Sequence, residues 1–249
     1  MSIESPNWRA ASWILAIAMA ITACAGSCGE HASAGANADA PVHLPPQVPA
    51  ATSPRLEVWP APGAGKGPAI VLLYGAAGPA LFTEATSDHR RYPQSFAAAG
   101  YMVVMPYYAE AGGDPLVVAT RAIDLVRADP RVDPSRIAVV GYSRGANLAL
   151  RLSAADRRVA AVVEFYGWLD DGVSVAHMPP TLILHGAKDR DVRVEQAYAL
   201  ERSLKASHVD YEIHVYPEQE HGFGKAALND SASRAIAFLD ARLRADASR

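Results

Sequence analysis

Short apolar runs alternate along this chain with longer stretches in which apolar residues recur every three or four positions. Ala69–Leu73, Tyr101–Met105, Ile137–Val140, Val159–Glu164 and Thr181–Leu184 are almost continuous in apolar residues. That is the pattern of strands buried on both faces, as in a parallel sheet covered by helices. Arg55–Trp59 alternates, and Tyr211–Val215 closes the set. Between these runs lie helical patterns. Tyr92–Ala99 stops at Gly100, Pro115–Ala128 carries Val118, Ala122, Leu125 and Val126, and Val194–Ala206 carries Tyr198, Leu200 and Leu204. Ser231–Leu243 carries Ala235, Ile236 and Leu239, with Asp230 or Ser231 placed to cap it. Regular strand–helix alternation predicts the α/β class: a doubly wound, mostly parallel sheet with helices on both faces. Ligands bind such sheets at the carboxyl ends of the strands.

The pattern changes before residue 55. Arg9 precedes the apolar stretch Ala11–Ile21, and Ile21-Thr22-Ala23-Cys24 follows. This is the layout of a secretion signal, and its end resembles the lipobox of bacterial lipoproteins, with Cys24 as the lipidated residue. Cleavage near Ala32-Ser33-Ala34 and a retained N-terminal anchor helix are the alternatives. Residues 29–54 are rich in Ala and Pro and read as a tether. The expected organisation is a signal peptide over 1–28, the tether over 29–54 and a catalytic domain over 55–249. The protein is then exported, either periplasmic or held on a bacterial membrane by a lipid anchor.

Composition narrows the chemistry. With 249 residues the chain suits one sizeable α/β domain. A formal net charge of -3 without basic runs argues against nucleic acid as a partner. Both cysteines, Cys24 and Cys28, precede the domain, which excludes from it a disulfide, a cysteine-ligated metal and a cysteine nucleophile.

Gly141-Tyr142-Ser143-Arg144-Gly145 sits between the run Ile137–Val140 and a helix-like run, Ala146–Leu150. Gly-x-Ser-x-Gly between strand and helix is the nucleophile elbow, a tight turn that lifts the serine Oγ above the sheet. A serine hydroxyl needs a base to take its proton, and the base needs a carboxylate to fix its tautomer. In this architecture the order is Ser, then acid, then His. His221, in the loop after Tyr211–Val215, meets that demand. His89, His177 and His208 lie in polar segments expected at the surface, and His185 is placed to stabilise a loop backbone. Asp189 and Asp191 both follow Thr181–Leu184; Asp189 is favoured as the acid, with Asp191 the alternative and a candidate helix cap. For the oxyanion hole, one N–H is assigned to Arg144 and the other to the small-residue loop Tyr74–Gly78, with Ala76 ahead of Ala77. Near the strand ends, Tyr74, Tyr108, Tyr142 and Trp168 are candidate walls of a substrate pocket, with Tyr107, Phe165 and Tyr166 close by.

From about Arg55 to Arg244 the chain resembles the dienelactone hydrolase family of α/β hydrolases. The resemblance rests on Ile137–Gly145, on Leu184-His185-Gly186-Ala187-Lys188-Asp189, and on Tyr216-Pro217 followed by His221-Gly222-Phe223. It implies the α/β-hydrolase fold, a triad of Ser143, Asp189 and His221, and the choice of Asp189 over Asp191. Founding members carry a cysteine where this chain has Ser143, a departure that favours general ester hydrolysis over lactone-ring specialisation. The function expected is hydrolysis of a small carboxylic ester or lactone by acyl transfer to water, without metal or organic cofactor. Two rival readings are an inert envelope lipoprotein that keeps the fold as a binding module, and a small serine peptidase.

Overall fold

The computed structural model describes residues 54–244 except 64 and 112. The segments read as leader and tether, with Cys24, lie outside the described residues apart from Pro54, as do residues 245–249.

Seven strands form one sheet: β1 (Leu56–Trp59), β2 (Gly67–Leu73), β3 (Met102–Pro106), β4 (Val132–Tyr142), β5 (Ala161–Phe165), β6 (Thr181–Gly186) and β7 (Tyr211–Tyr216). Their order is β1-β3-β2-β4-β5-β6-β7; β1 runs antiparallel to β3, and every other pairing is parallel. The chain moves outward from β2 to β3, then crosses back to β4 on the other side of β2. That reversal opens a crevice beyond the carboxyl ends of β2 and β4, where ligands of open α/β sheets bind.

The helices are α1 (Ala80–Thr83), α2 (Arg91–Ala98), α3 (Pro115–Ala128), α4 (Arg144–Ala155), α5 (Glu195–Ala206) and α6 (Lys225–Leu243). Strand alternation shows how two of them sandwich the sheet. Tyr142 and Phe165 pack on Tyr92 of α2, with ring centroids 4.9 and 5.0 Å away, whereas the preceding Gly141 abuts Gly145 and Ala146 of α4. Successive strand residues face opposite ways, so α2 and α4 cover opposite faces. Where the central strands pair side by side they are mostly apolar because neither face meets water, with Glu164 on β5 and Thr181 and His185 on β6 as buried polar residues.

Helix α3 begins at Pro115, where the missing N–H is no loss, and the Asp114 carboxylate caps it by accepting from Leu116 N–H at 2.9 Å. The reading of α6 needs correction. It starts at Lys225 with Gly224 as its N-cap, six residues before Ser231. Ser231 is buried inside the helix and bonds the Tyr92 hydroxyl at 2.8 Å, while Asp230 accepts from the Tyr216 hydroxyl at 2.8 Å and from Arg234 at 2.6 Å. Cap-type residues sit mid-helix here because tertiary partners satisfy them; Ala227 and Leu228 bury the extra turn.

Candidate active site

Ser143 sits between β4 and α4 at φ 54° and ψ −120°, a strained conformation for a residue with a Cβ. Its N–H donates to Phe165 C=O at 2.9 Å, which ties the turn to the end of β5. The flanking glycines are required by contact. A Cβ at Gly141 would lie 2.3 Å from Gly145 O, and one at Gly145 would lie 2.1 Å from Leu73 O and 2.4 Å from Tyr74 O. Strand, turn and helix pass too close for any side chain. Gly145→Ala is therefore expected to lower unfolding stability by about 3 kcal/mol, read as a shift of the denaturant midpoint.

Three side chains from three loops meet above the sheet. Ser143 Oγ lies 2.9 Å from His221 Nε2, and His221 Nδ1 lies 2.7 Å from Asp189 Oδ2. The other Asp189 oxygen accepts from the N–H groups of Asp191 and Val192 at 2.9 and 2.8 Å. Of the two aspartates, Asp189 is thus the one bonded to His221; Asp191 contributes its backbone to Asp189 and turns its exposed side chain to the cleft. Burial works to raise the Asp189 pKa. The bonds from His221 and Val192 N–H outweigh it and hold the carboxyl below its ordinary range. The charged form is therefore the resident one, and Nδ1 of His221 carries the proton that faces it.

Neighbours hold these loops. His185 on β6 donates from Nε2 to Val192 C=O at 2.8 Å and lies 3.5 Å from Asp189; burial lowers its pKa, so it is neutral. The Tyr166 ring packs edge-on against the His221 imidazole with centroids 4.8 Å apart. His89, read from the sequence as a surface histidine, is half-buried and donates from Nε2 to Gly222 C=O at 2.7 Å. The polar segment around it folds into a 3₁₀ turn, Asp88–Arg90, against the histidine loop, a long-range contact with no local sequence signal. Two further residues escaped the sequence reading. Asn147 on α4 donates to Trp168 C=O at 3.2 Å and to Asp170 at 2.9 Å. Glu164 is buried at the end of β5, and a lone acid closing an apolar run was the signal for it.

The loop after β2 runs beside the serine: a Cβ at Gly75 would lie 3.1 Å from Ser143 Cβ and 3.8 Å from Oγ. Ala76, Ala77 and Arg144 line the cleft at this point. The N–H of Arg144 opens α4, where a helix leaves its first donors unpaired.

The cleft over Ser143 has a volume of about 980 Å³ and includes His89, Tyr142, Tyr166, Trp168 and Phe223 in its lining. Tyr142 and Trp168 belong to its wall, but Tyr74 and Tyr108 do not. Those two are buried and stacked on each other with centroids 4.4 Å apart. The Tyr108 hydroxyl donates to Tyr74 C=O, and the Tyr74 hydroxyl accepts from Ala109 N–H at 3.1 Å. Both tyrosines meet their polar needs inside the protein, so the pair supports the β2 loop from below instead of facing substrate.

Comparison with known proteins agrees with this architecture. Over 102 residues the chain is 29% identical to a Yersinia pestis protein provisionally named a carboxymethylenebutenolidase, a stretch covering 36% of this chain and 38% of that protein. Over 90 residues it is 33% identical to a carboxymethylenebutenolidase homolog of Xenopus tropicalis, covering 35% and 37%. The aligned stretches span well under half the length of these curated relatives. The solved structure of Thermogutta terrifontis esterase 2 phosphorylated by paraoxon superposes with a TM-score of 0.63 at 21% identity, over 75% of this chain and 88% of that one, which shows a common α/β-hydrolase fold. The profile of the dienelactone hydrolase family matches residues 109–242, more than half of the chain and the part that holds Ser143, Asp189 and His221. The chain belongs to the dienelactone hydrolase family.

Proposed function

We propose that this protein is a serine hydrolase that cleaves small carboxylic esters or lactones by acyl transfer to water. The observation that carries the reading is the unbroken hydrogen-bonded chain from Ser143 Oγ through His221 to Asp189, with the serine at the floor of an open cleft. With Nδ1–H of His221 given to Asp189, Nε2 is the acceptor that removes the Ser143 proton as Oγ attacks the carbonyl. The tetrahedral oxyanion takes hydrogen bonds from the Arg144 N–H and from the β2 loop, with Ala76 as second donor. His221 then protonates the leaving alcohol, and in the second step it activates the water that releases the acid.

Serine in place of the founding members' cysteine makes the imidazole indispensable, because an alcohol has no thiolate form to draw on at neutral pH. Thermogutta terrifontis esterase 2 is phosphorylated by paraoxon, and a fluorophosphonate probe asks the matching question here. Incubation of the folded protein is expected to give one covalent adduct, mapped by peptide mass spectrometry to Ser143, alongside turnover of short p-nitrophenyl esters. A folded protein that neither labels nor turns over these esters is the inert binding module instead. The leader reading adds a proposal about location: the chain is exported and anchored through Cys24. The mass of the mature N-terminus tests it, a diacylated Cys24 being the expected species.

A further inference from the structure

Besides Asp189, Glu164 is the only acidic side chain that is fully buried among the described residues. It ends β5 in register with Gly141 of β4 and Ile183 of β6. Its Oε2 accepts from Gly167 N–H at 2.8 Å, and its Oε1 has no partner. The turn it closes, Phe165–Gly167, touches two of the three proposed catalytic residues, Ser143 and His221. Phe165 C=O accepts from Ser143 N–H, and Tyr166, at φ 44°, lays its ring edge on His221. Gly167 passes so near α4 that a Cβ there would lie 2.3 Å from the Ala146 Cβ and 3.0 Å from Glu164 Oε2. The turn, on which serine and histidine both lean, is thus held by the Tyr166 N–H, which donates to Leu184 C=O at 2.8 Å, and by one side-chain bond, that of Gly167 N–H to Glu164.

We propose that Glu164 is a positioning residue that works as a neutral acid: accepting from Gly167, it fixes the turn that aligns Ser143 and His221, and losing its proton releases that turn. The proposal rests on the serine-hydrolase reading above. An ionised carboxylate at this place would bury a second negative charge near Asp189, with one oxygen facing no donor, and is relieved only by opening toward water. Burial, and then the Asp189 charge, push its pKa upward against the Gly167 bond, to about 8. The titratable groups on its side of the sheet are Asp189 and the neutral His185, both from β6 and its loop. From β4 and α4 it faces Gly141 and Ala146; the α4 cations turn away, Arg144 toward Tyr108 and Arg151 toward Asp170 at 3.7 Å. Helices α2 and α6 meet on the opposite, Phe165 side through Tyr92 and Ser231.

The test compares the full chain with Glu164→Gln and Glu164→Leu in p-nitrophenyl acetate hydrolysis from pH 6 to about 10, kcat and KM being read separately. Gln keeps an acceptor for Gly167 and cannot ionise, so it should retain kcat at pH 7 within about threefold and lack the alkaline decline that the wild type shows above about pH 8. Leu removes the acceptor and should lower kcat about tenfold or more, with KM changed less than about threefold. An unchanged alkaline limb in the Gln variant, or wild-type kcat in the Leu variant, overturns the proposal. A second readout does not need activity. Below the ordinary carboxyl value of 4.5 both folded and unfolded chains carry the proton; between there and about 8 only the folded chain does. Wild-type stability must therefore fall relative to the Gln variant across that window and run parallel above it. A thermal midpoint gap that stays constant with pH refutes the neutral acid. Activity that survives Ser143→Ala would instead sink the serine reading and leave this gap to judge Glu164.

Discussion

Ser143→Ala is expected to lower kcat for short p-nitrophenyl esters by about 10⁴-fold or more, with KM nearly unchanged. The magnitude follows from what the variant keeps and what it lacks. The cleft, the N–H of Arg144 and the loop after β2 stay in place, so binding and oxyanion stabilisation survive and leave a small residual rate. The covalent path is lost, because no other hydroxyl sits 2.9 Å from His221 Nε2 among the described residues. Removing Oγ leaves the backbone strain at φ 54° as it was, so the fold should tolerate the change. Steady-state kinetics with a folded-state check by circular dichroism decides the point; equal rates for variant and wild type would end the serine assignment.

Asp189→Asn should lower kcat by about 10⁴-fold while leaving the protein folded, and the reason is tautomeric. Asp189 offers two acceptor oxygens, one to the N–H groups of Asp191 and Val192 and the other to His221 Nδ1. An amide has only one acceptor. If its oxygen serves the two backbone donors, its NH₂ faces Nδ1 and draws the imidazole proton to Nε2, where it blocks uptake of the serine proton. The reverse orientation sets the NH₂ against two N–H groups. A normal fluorophosphonate labelling rate in this variant would refute the role. The same carboxylate carries a pH effect of defined sign. Its pKa lies below the ordinary 3.8, so its stabilising contribution is complete above that value and is lost as pH falls through the folded-state pKa. Acid denaturation of the wild type should therefore begin below about pH 4, and Asp189→Asn should flatten that limb.

Five strands were legible because burial on both faces forces apolar runs; the partly buried edge strands β1 and β7 were legible from shorter or alternating patterns, and all seven segments correspond to strands. Helix α3 was legible at both ends, since Asp114-Pro115 is a local start signal and Asp129-Pro130 a local stop signal. The start of α6 was not, because the cap-like Asp230 and Ser231 find partners on β7 and α2, outside any local window. The aromatic wall was half legible. Tyr142 and Trp168 line the cleft and Tyr74 and Tyr108 do not, because an aromatic residue near a strand end reads the same in sequence whether its ring borders the cleft or packs beneath the β2 loop.

What the chain determined on its own is the class of fold and the types of chemical group: periodicity sets which segments bury both faces, and the Gly-x-Ser-x-Gly spacing demands a turn that only glycines permit. What tertiary structure decided is which groups meet. The bonds of His221 to Asp189 and Ser143, of His89 to Gly222 and of Glu164 to the turn beneath Tyr166 all depend on how strand ends and loops are brought together by the sheet order. Hydrogen bonds act over about 3 Å, and residues far apart in sequence come that close only once the sheet has closed its register.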